Sequence, residues 1–375
     1  METIFIYIFL SLSGIFVDPP VKFQKQLIAM ESTESVNVFD VDGDGQLDIV
    51  SGNFWFKGPE FKERHLVGQI KRVGEYYDDF STIPMDVNGD GKMDFITGGW
   101  FGGKLLWKEN PGDNGEWAIH EIEDTGNIET SRAWDVDGDG FMEIVPNTPG
   151  KPLAYYKLQR DAMGNGLGEF TRVQVADTHG HGLGFGDING DGRGDFILPN
   201  GWLEAPEDLQ KGEWVLHQDF DLGSASVPIL VVDVNGDGLH DLIVGQAHGY
   251  GLDWYEQVKE GEQRKFVKHK IDPFQSQYHC LEWVDIDNDG EMELVTGKRY
   301  RAHNGNDPGA DDHLGLYYFK WNGNSFTKNI ISYGPLGIGK GAGIFFAVED
   351  LNGSGFKDVV VAGKDGLAVF YNEGN

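Results

Sequence analysis

Short stretches in which apolar and polar residues alternate recur along the chain: FKERHLV from Phe61, EWAIHEI from Glu116, FTRVQVA from Phe170, EWVLHQD from Glu213, FVKHKID from Phe266 and FTKNIIS from Phe326. A period of two marks a strand with one buried and one wet face. Between these stretches lie unbroken apolar runs such as DIVSG, DFITG, DLIVG and ELVTG, which read as strands covered on both faces. Each such run follows a nine-residue acidic loop that occurs seven times: DVDGDGQLD from Asp40, DVNGDGKMD from Asp86, DVDGDGFME from Asp135, DINGDGRGD from Asp187, DVNGDGLHD from Asp233, DIDNDGEME from Asp285 and DLNGSGFKD from Asp350. Strand, tight loop and strand therefore repeat, with starts 46, 49, 52, 46, 52 and 65 residues apart.

The alternating strand is out of step with the loops. Its seventh copy, VKFQKQLI from Val21, precedes the first loop, and the final unit stops at LAVFYNEGN with no such strand behind it. This circular displacement predicts how the object closes. The fold expected is an all-β, seven-bladed β-propeller of four-stranded blades spanning residues 21–375 as one domain, with the N-terminal strand completing the last blade. Two domains would interrupt an even repeat.

Composition agrees, with 54 glycines and 13% aromatics among 375 residues. A formal charge of −31 repels phosphate backbones, so nucleic acid is excluded as a partner and cations or neutral ligands fit better. The single cysteine, Cys280, allows no intrachain disulfide and reads as buried filler. The opening METIFIYIFLSLSGIF is the size of a signal-peptide core, so residues 1–17 are expected to direct the chain to the periplasm or outside, although Glu2 stands where a basic residue is usual. No later apolar stretch is long enough to span a membrane.

The loops carry the first chemistry. Oxygens at positions one, three, five and nine, with glycine at six, can turn toward one point, and hard Ca²⁺ takes six to eight oxygens at roughly 2.3–2.6 Å. The expected ligands are Asp40, Asp42, Asp44 and Asp48; Asp86, Asn88, Asp90 and Asp94; Asp135, Asp137, Asp139 and Glu143; Asp187, Asn189, Asp191 and Asp195; Asp233, Asn235, Asp237 and Asp241; and Asp285, Asp287, Asp289 and Glu293. Ser354 replaces the central acid of the seventh loop, so structural calcium is expected in up to about six loops. The alternative is that these are Asp and Asn turns satisfying their own backbone amides. On these loops the chain resembles the FG-GAP or VCBS repeat family of calcium-loop propellers over nearly its whole mature length. The resemblance implies that each loop joins the innermost strand to the second at the bottom face.

Residues six to eight places before a loop then lie at the top, beside the channel, which sorts the eleven histidines. His65, His120, His217 and His269 fall on outer strands and His240 inside a loop. His181 and His279 each stand six residues before a loop, and His179 lies two further up; His248 and His303 sit on top turns of blades five and six, and His313 in the longer insertion of blade six. With them at the top are expected Trp55, Phe56, Trp100, Phe101, Trp202, Tyr250 and the cluster Lys298, Arg299, Tyr300. Imidazoles at one height could bind Zn²⁺ or another divalent metal, or one could serve as general base. The aromatics could equally pack adjacent blades.

The segments THGHGLGFGDINGDGRGDFILPNGWLEAP and TGKRYRAHNGNDPG are similar to the propeller domain of aldos-2-ulose dehydratases, and the overall design resembles seven-bladed polysaccharide lyases. The resemblance implies proton removal beside a carbonyl or carboxylate and departure of a β-oxygen from an oxidised sugar. The roles expected are His181 or His279 as base or metal ligand, Arg299 and Lys298 as enolate stabilisers, His303 as second acid or ligand and Tyr250 as proton donor. His179, His248, Trp55, Trp100, Trp202 and Tyr300 are expected to line the carbohydrate site. The competing expectation is a calcium-stabilised glycan-binding or adhesion propeller without catalysis, and a purely structural module is a third.

Overall fold

A computed structural model describes residues 19–209, 211–261 and 263–374; the leader expected at 1–17 lies outside the described residues. Seven four-stranded antiparallel sheets form a β-propeller, and among the described residues the only helical segment is a single 3₁₀ turn, Ala302–Gly305. The innermost strands, in blade order, are Asn37–Phe39, Ile83–Met85, Thr130–Trp134, Gly184–Gly186, Leu230–Val232, Tyr278–Val284 and Ala347–Glu349. The second strands are the unbroken apolar runs, from Asp48–Ser51 to Asp358–Val361, and every residue in them is buried. Both of their faces are covered by neighbouring blades, so no alternation survives in their sequence. The outermost strands keep it, as in Ala118–Asp124 and Phe326–Gly334.

The ring closes as the displaced repeat requires. Phe23–Ala29 pairs antiparallel with Leu367–Asn372, Phe23 opposite Asn372 and Lys25 opposite Phe370. The Val21 amide also donates to the Tyr318 hydroxyl of blade six at 3.0 Å. On the axis, Arg132 reaches from blade three to the carbonyl of Val227 in blade five (2.7 Å), to Cys280 Sγ in blade six (3.1 Å) and to the carbonyl of Ile344 in blade seven (3.5 Å). Its guanidinium lies 4.4 Å from the Phe345 ring centroid. One side chain thus braces four blades below the top layer.

A repeated packing unit corrects two expectations. Trp55 and Trp202 belong to third strands, not to top turns, because the turns before them are only two residues long. Both are buried and stack on outer-strand histidines, Trp55 on His65 at 4.3 Å and Trp202 on His217 at 4.2 Å. Trp107 on His120 and Trp254 on His269 repeat the pair. Phe56 is buried in the same way. None of these rings can stack on a ligand at the mouth. Trp100 and Phe101 do lie on the top turn of blade two, half-buried and exposed respectively.

Candidate functional site

The residue six places before each loop opens the top of each inner strand: Glu34, Phe80, Glu129, His181, Val227, His279 and Ile344. Four of the seven are polar or ionisable, and two of these are glutamates that sorting the histidines alone does not reveal. His279 Nε2 lies 2.9 Å from Glu129 Oε1, and His181 Nε2 lies 3.5 Å from the same oxygen. His248, from the top turn of blade five, brings its Nε2 to 3.0 Å from His181 Nε2. All four ligand atoms fall within 4.8 Å of one another.

The tautomers follow from what the outer nitrogens touch. His181 Nδ1 is 2.9 Å from the carbonyl oxygen of Ala225, which can only accept, so the proton sits on Nδ1. His248 Nδ1 is 3.0 Å from Asp307 Oδ2, so it too donates from Nδ1. Both Nε2 lone pairs therefore point at each other at 3.0 Å, beside a carboxylate oxygen. Facing lone pairs repel unless a proton or a metal cation lies between them. The donor set is three imidazoles and a carboxylate, with one imidazole fixed by a carbonyl and one by a carboxylate, which is how metal-binding histidines are oriented. Separations of 3.0 and 3.5 Å also suit the edges of a small four-ligand shell, roughly 3.3 Å for metal bonds of about 2.0–2.1 Å. These residues fit a divalent transition metal.

The electrostatics favour neutral His248 and His279 and a charged Glu129. Burial lowers His248 to about 4, helped by repulsion from His181. Burial, then the Arg299 guanidinium, holds His279 well below its ordinary value. Burial works against a charged Glu129, but the neighbouring His181 and His279 outweigh it and keep the carboxyl well below the usual range. Arg299 is itself buried, donating from Nε to Glu34 at 2.8 Å and from Nη1 to Glu129 at 3.2 Å. It stands behind the cluster and fixes Glu129.

A strap from blade six, residues 299–313, crosses above. His303 stacks on His248 with centroids 4.4 Å apart and places Nδ1 2.9 Å from Asp307 Oδ1, so Asp307 holds both rings. The His303 side chain is 57% exposed. Arg301, His303 and Asn304 have left-handed φ values of 50, 48 and 56°, uncommon for residues with a Cβ. At its near end the strap is tied by Lys298, whose Nζ donates to Gly309 O (2.6 Å), Gln277 Oε1 (2.7 Å) and Ser276 Oγ (2.8 Å). At its far end Arg301 Nη2 donates to Glu75 at 2.9 Å, and the Asn304 amide donates to the Tyr76 hydroxyl at 3.1 Å. Glu75 and Tyr76 belong to a small hairpin, Arg72–Val73 with Tyr76–Tyr77, between blades one and two.

The structure thus brings His181, His248, His279, His303 and Arg299 together and separates the other expected residues from them. Lys298 is fully buried with its three donors spent, so it cannot stabilise an enolate. Tyr250 is exposed and donates to Asp312 at 2.5 Å, on the strap's near end. His179 is a buried peg: Nε2 accepts from the Thr148 amide and Nδ1 donates to Lys151 O, both at 3.0 Å, so it cannot bind substrate. Tyr300 is half-buried at the root of the strap, and His313 packs its ring on Tyr333.

At the bottom face the first Asp of each loop does cap backbone amides; Asp40 accepts from Gly43, Asp44 and Gly45 at 2.8, 3.2 and 2.8 Å. In blades one, two, three, five and six, position three also has a fixed partner on the third strand or just past it. Asp42, Asp137 and Asp287 face Lys57, Lys157 and Lys320, whereas Asn88 and Asn235 donate to Glu109 and Glu256 at 3.2 and 3.3 Å. The outer atom of position three is thereby held, while the inner one accepts the position-five amide in blades one, two and five. In blades three and six, Asp135 Oδ1, Asp137 Oδ1, Glu143 Oε1, Asp287 Oδ1 and Glu293 Oε1 are buried without a hydrogen-bond partner. Orphaned carboxylate oxygens grouped in this way fit a hard cation such as Ca²⁺.

Residues 86–145 and 233–296 match the model of the FG-GAP-like repeat, each match starting at the first Asp of an acidic loop. The chain therefore carries FG-GAP-like repeats within a seven-bladed ring. No curated protein matches it. Among solved structures it is similar to Sqt1 of Saccharomyces cerevisiae, 10% identical over 95% of this chain and 99% of that one, with a TM-score of 0.49. It is also similar to the Tc holotoxin pore of Photorhabdus luminescens, 14% identical over 94% of this chain and 14% of that one, with a TM-score of 0.35.

Proposed function

We propose that the protein is an exported, metal-dependent carbon–oxygen lyase that acts by β-elimination on a uronate-containing or keto sugar at the top mouth of the ring. The observation that carries this reading is the convergence of Glu129, His181, His248 and His279 beneath His303. A divalent metal held by those four residues would bind and polarise the substrate carboxylate or keto oxygen. His303 is the base: Asp307 fixes its proton on Nδ1, which leaves Nε2 basic on a ring that reaches solvent. It takes the proton from the carbon next to the carbonyl or carboxylate, and Asp307 stabilises the imidazolium so formed. The same imidazolium returns that proton to the departing β-oxygen, so elimination on one face needs no second acid. Arg299, clamped between Glu34 and Glu129, keeps positive charge behind the site.

The glycan-binding alternative draws less support, since Trp55 and Trp202 are sealed inside their blades. Structural Ca²⁺ in the bottom loops belongs to the same proposal, most strongly in blades three and six, where buried carboxylate oxygens have no hydrogen-bond partner.

The test is to supply the purified protein with uronate-containing and keto sugars and follow the ultraviolet absorbance of a new conjugated double bond. Wild type should produce it. His303→Ala should lose it by at least about a hundredfold, within the range general bases contribute, while retaining its metal. His181→Ala should lose both. Absence of product from a broad panel in metal-loaded protein would contradict the catalytic reading.

A further inference from the structure

Resting on that reading of the upper site, we propose that metal capture and closure of the strap are one linked event, governed by the Arg301–Glu75 latch at its far end. Glu129 and His279 are buried, and half-buried His248 lies against the strap residues His303 and Asp307. Loading the site is coupled to opening of the strap. Closing it delivers Asp307 to His248 Nδ1, and Asp307 is the group that fixes the tautomer in which Nε2 can bind a metal.

Two lines of contact join the latch to the ligands. The first runs through the strap: Arg301 on Glu75, Asn304 on the Tyr76 hydroxyl, then Asp307 on His248. The left-handed residues Arg301, His303 and Asn304 persist only while surrounding contacts hold them, so releasing the latch lets this segment relax. The second line runs underneath. Lys364 Nζ donates to Arg301 O at 2.8 Å and lies 3.6 Å from Glu34, which pairs with Arg299, which in turn holds Glu129. Opening the latch therefore loosens the partner of His248 and the partner of Glu129 together.

Linkage makes the coupling reciprocal: whatever factor the closed strap adds to metal affinity, bound metal must add to closure. The experiment uses the full mature chain and Zn²⁺ as probe. Zn²⁺ affinity is measured by competition with a chromogenic chelator for wild type, Glu75→Gln and Tyr76→Phe, neither substitution touching a ligand. Hydrogen exchange at strap amides, Asn304 above all, is measured with and without Zn²⁺. Affinity should fall about tenfold in either variant, at the low end of what losing an outer partner of a metal ligand costs. Strap exchange should slow by a similar factor when Zn²⁺ binds wild type, and by nothing in His181→Ala. Equal affinities in wild type and both variants, or strap exchange indifferent to Zn²⁺, would overturn the linkage while leaving the metal site standing. No Zn²⁺ bound by wild type would overturn both.

Discussion

His303 and Lys298 lie five residues apart and show how burial sorts otherwise similar candidates. His303 keeps an exposed ring with one nitrogen fixed by Asp307, whereas Lys298 spends every donor beneath the strap. Burial pushes the Lys298 ammonium from its ordinary 10.5 down to about 8. For a base with a lowered value, the unfolded chain binds the proton more tightly. The penalty, roughly 3 kcal/mol, is present in full below about pH 8 and disappears as pH rises toward 10.5. Wild type should therefore gain stability relative to Lys298→Met over that window, read from denaturant midpoints at stepped pH; parallel curves would refute the assignment. The same scale shows what the sequence disclosed. Counting six residues back from each loop located His181 and His279, and the same count finds Glu34 and Glu129, which went unread because only imidazoles were sorted.

The strap, the loops and the third strands carry the next level of organisation. The apolar runs, the acidic loops and the half-wet outer strands were legible because each element's period follows directly from which of its faces is covered. Trp55 and Trp202 were misplaced because a two-residue turn and a longer one look alike when both are followed by aromatics. The role of Asp307 was not legible at all: it meets His248, 59 residues away, only through the left-handed path of the strap. For the loops, the proposed calcium should bind the folded state alone. At a free concentration a hundred times the dissociation constant, each site adds about 2.7 kcal/mol. Chelation should then lower the thermal midpoint, and restoring Ca²⁺ should return it. Glu143→Gln with Glu293→Gln should shrink that difference, since the orphaned oxygens lie there. A midpoint unmoved by chelation would identify the loops as turns that satisfy themselves.

At the level of the whole molecule, closure and chemistry depend on the same ring. Phe23–Ala29 covers the outer edge of the last blade, and deleting residues 21–29 would leave Leu367–Asn372 paired on its inner side alone. Such a chain should lose its single cooperative melting transition and associate through the exposed edge, seen by calorimetry and light scattering. Closure also sets the cluster, because Glu129, His181, His248 and His279 come from four consecutive blades and meet only if the ring is complete. Arg132, joined to blades five, six and seven, fixes the layer immediately below. The central claim is that these four side chains hold one metal ion, and the most direct measurement is anomalous diffraction at the zinc edge from crystals of Zn²⁺-loaded protein. One strong peak is expected, bounded by Nε2 of His181, His248 and His279 and by the Glu129 carboxylate. Density for all four side chains with no anomalous peak among them would contradict it.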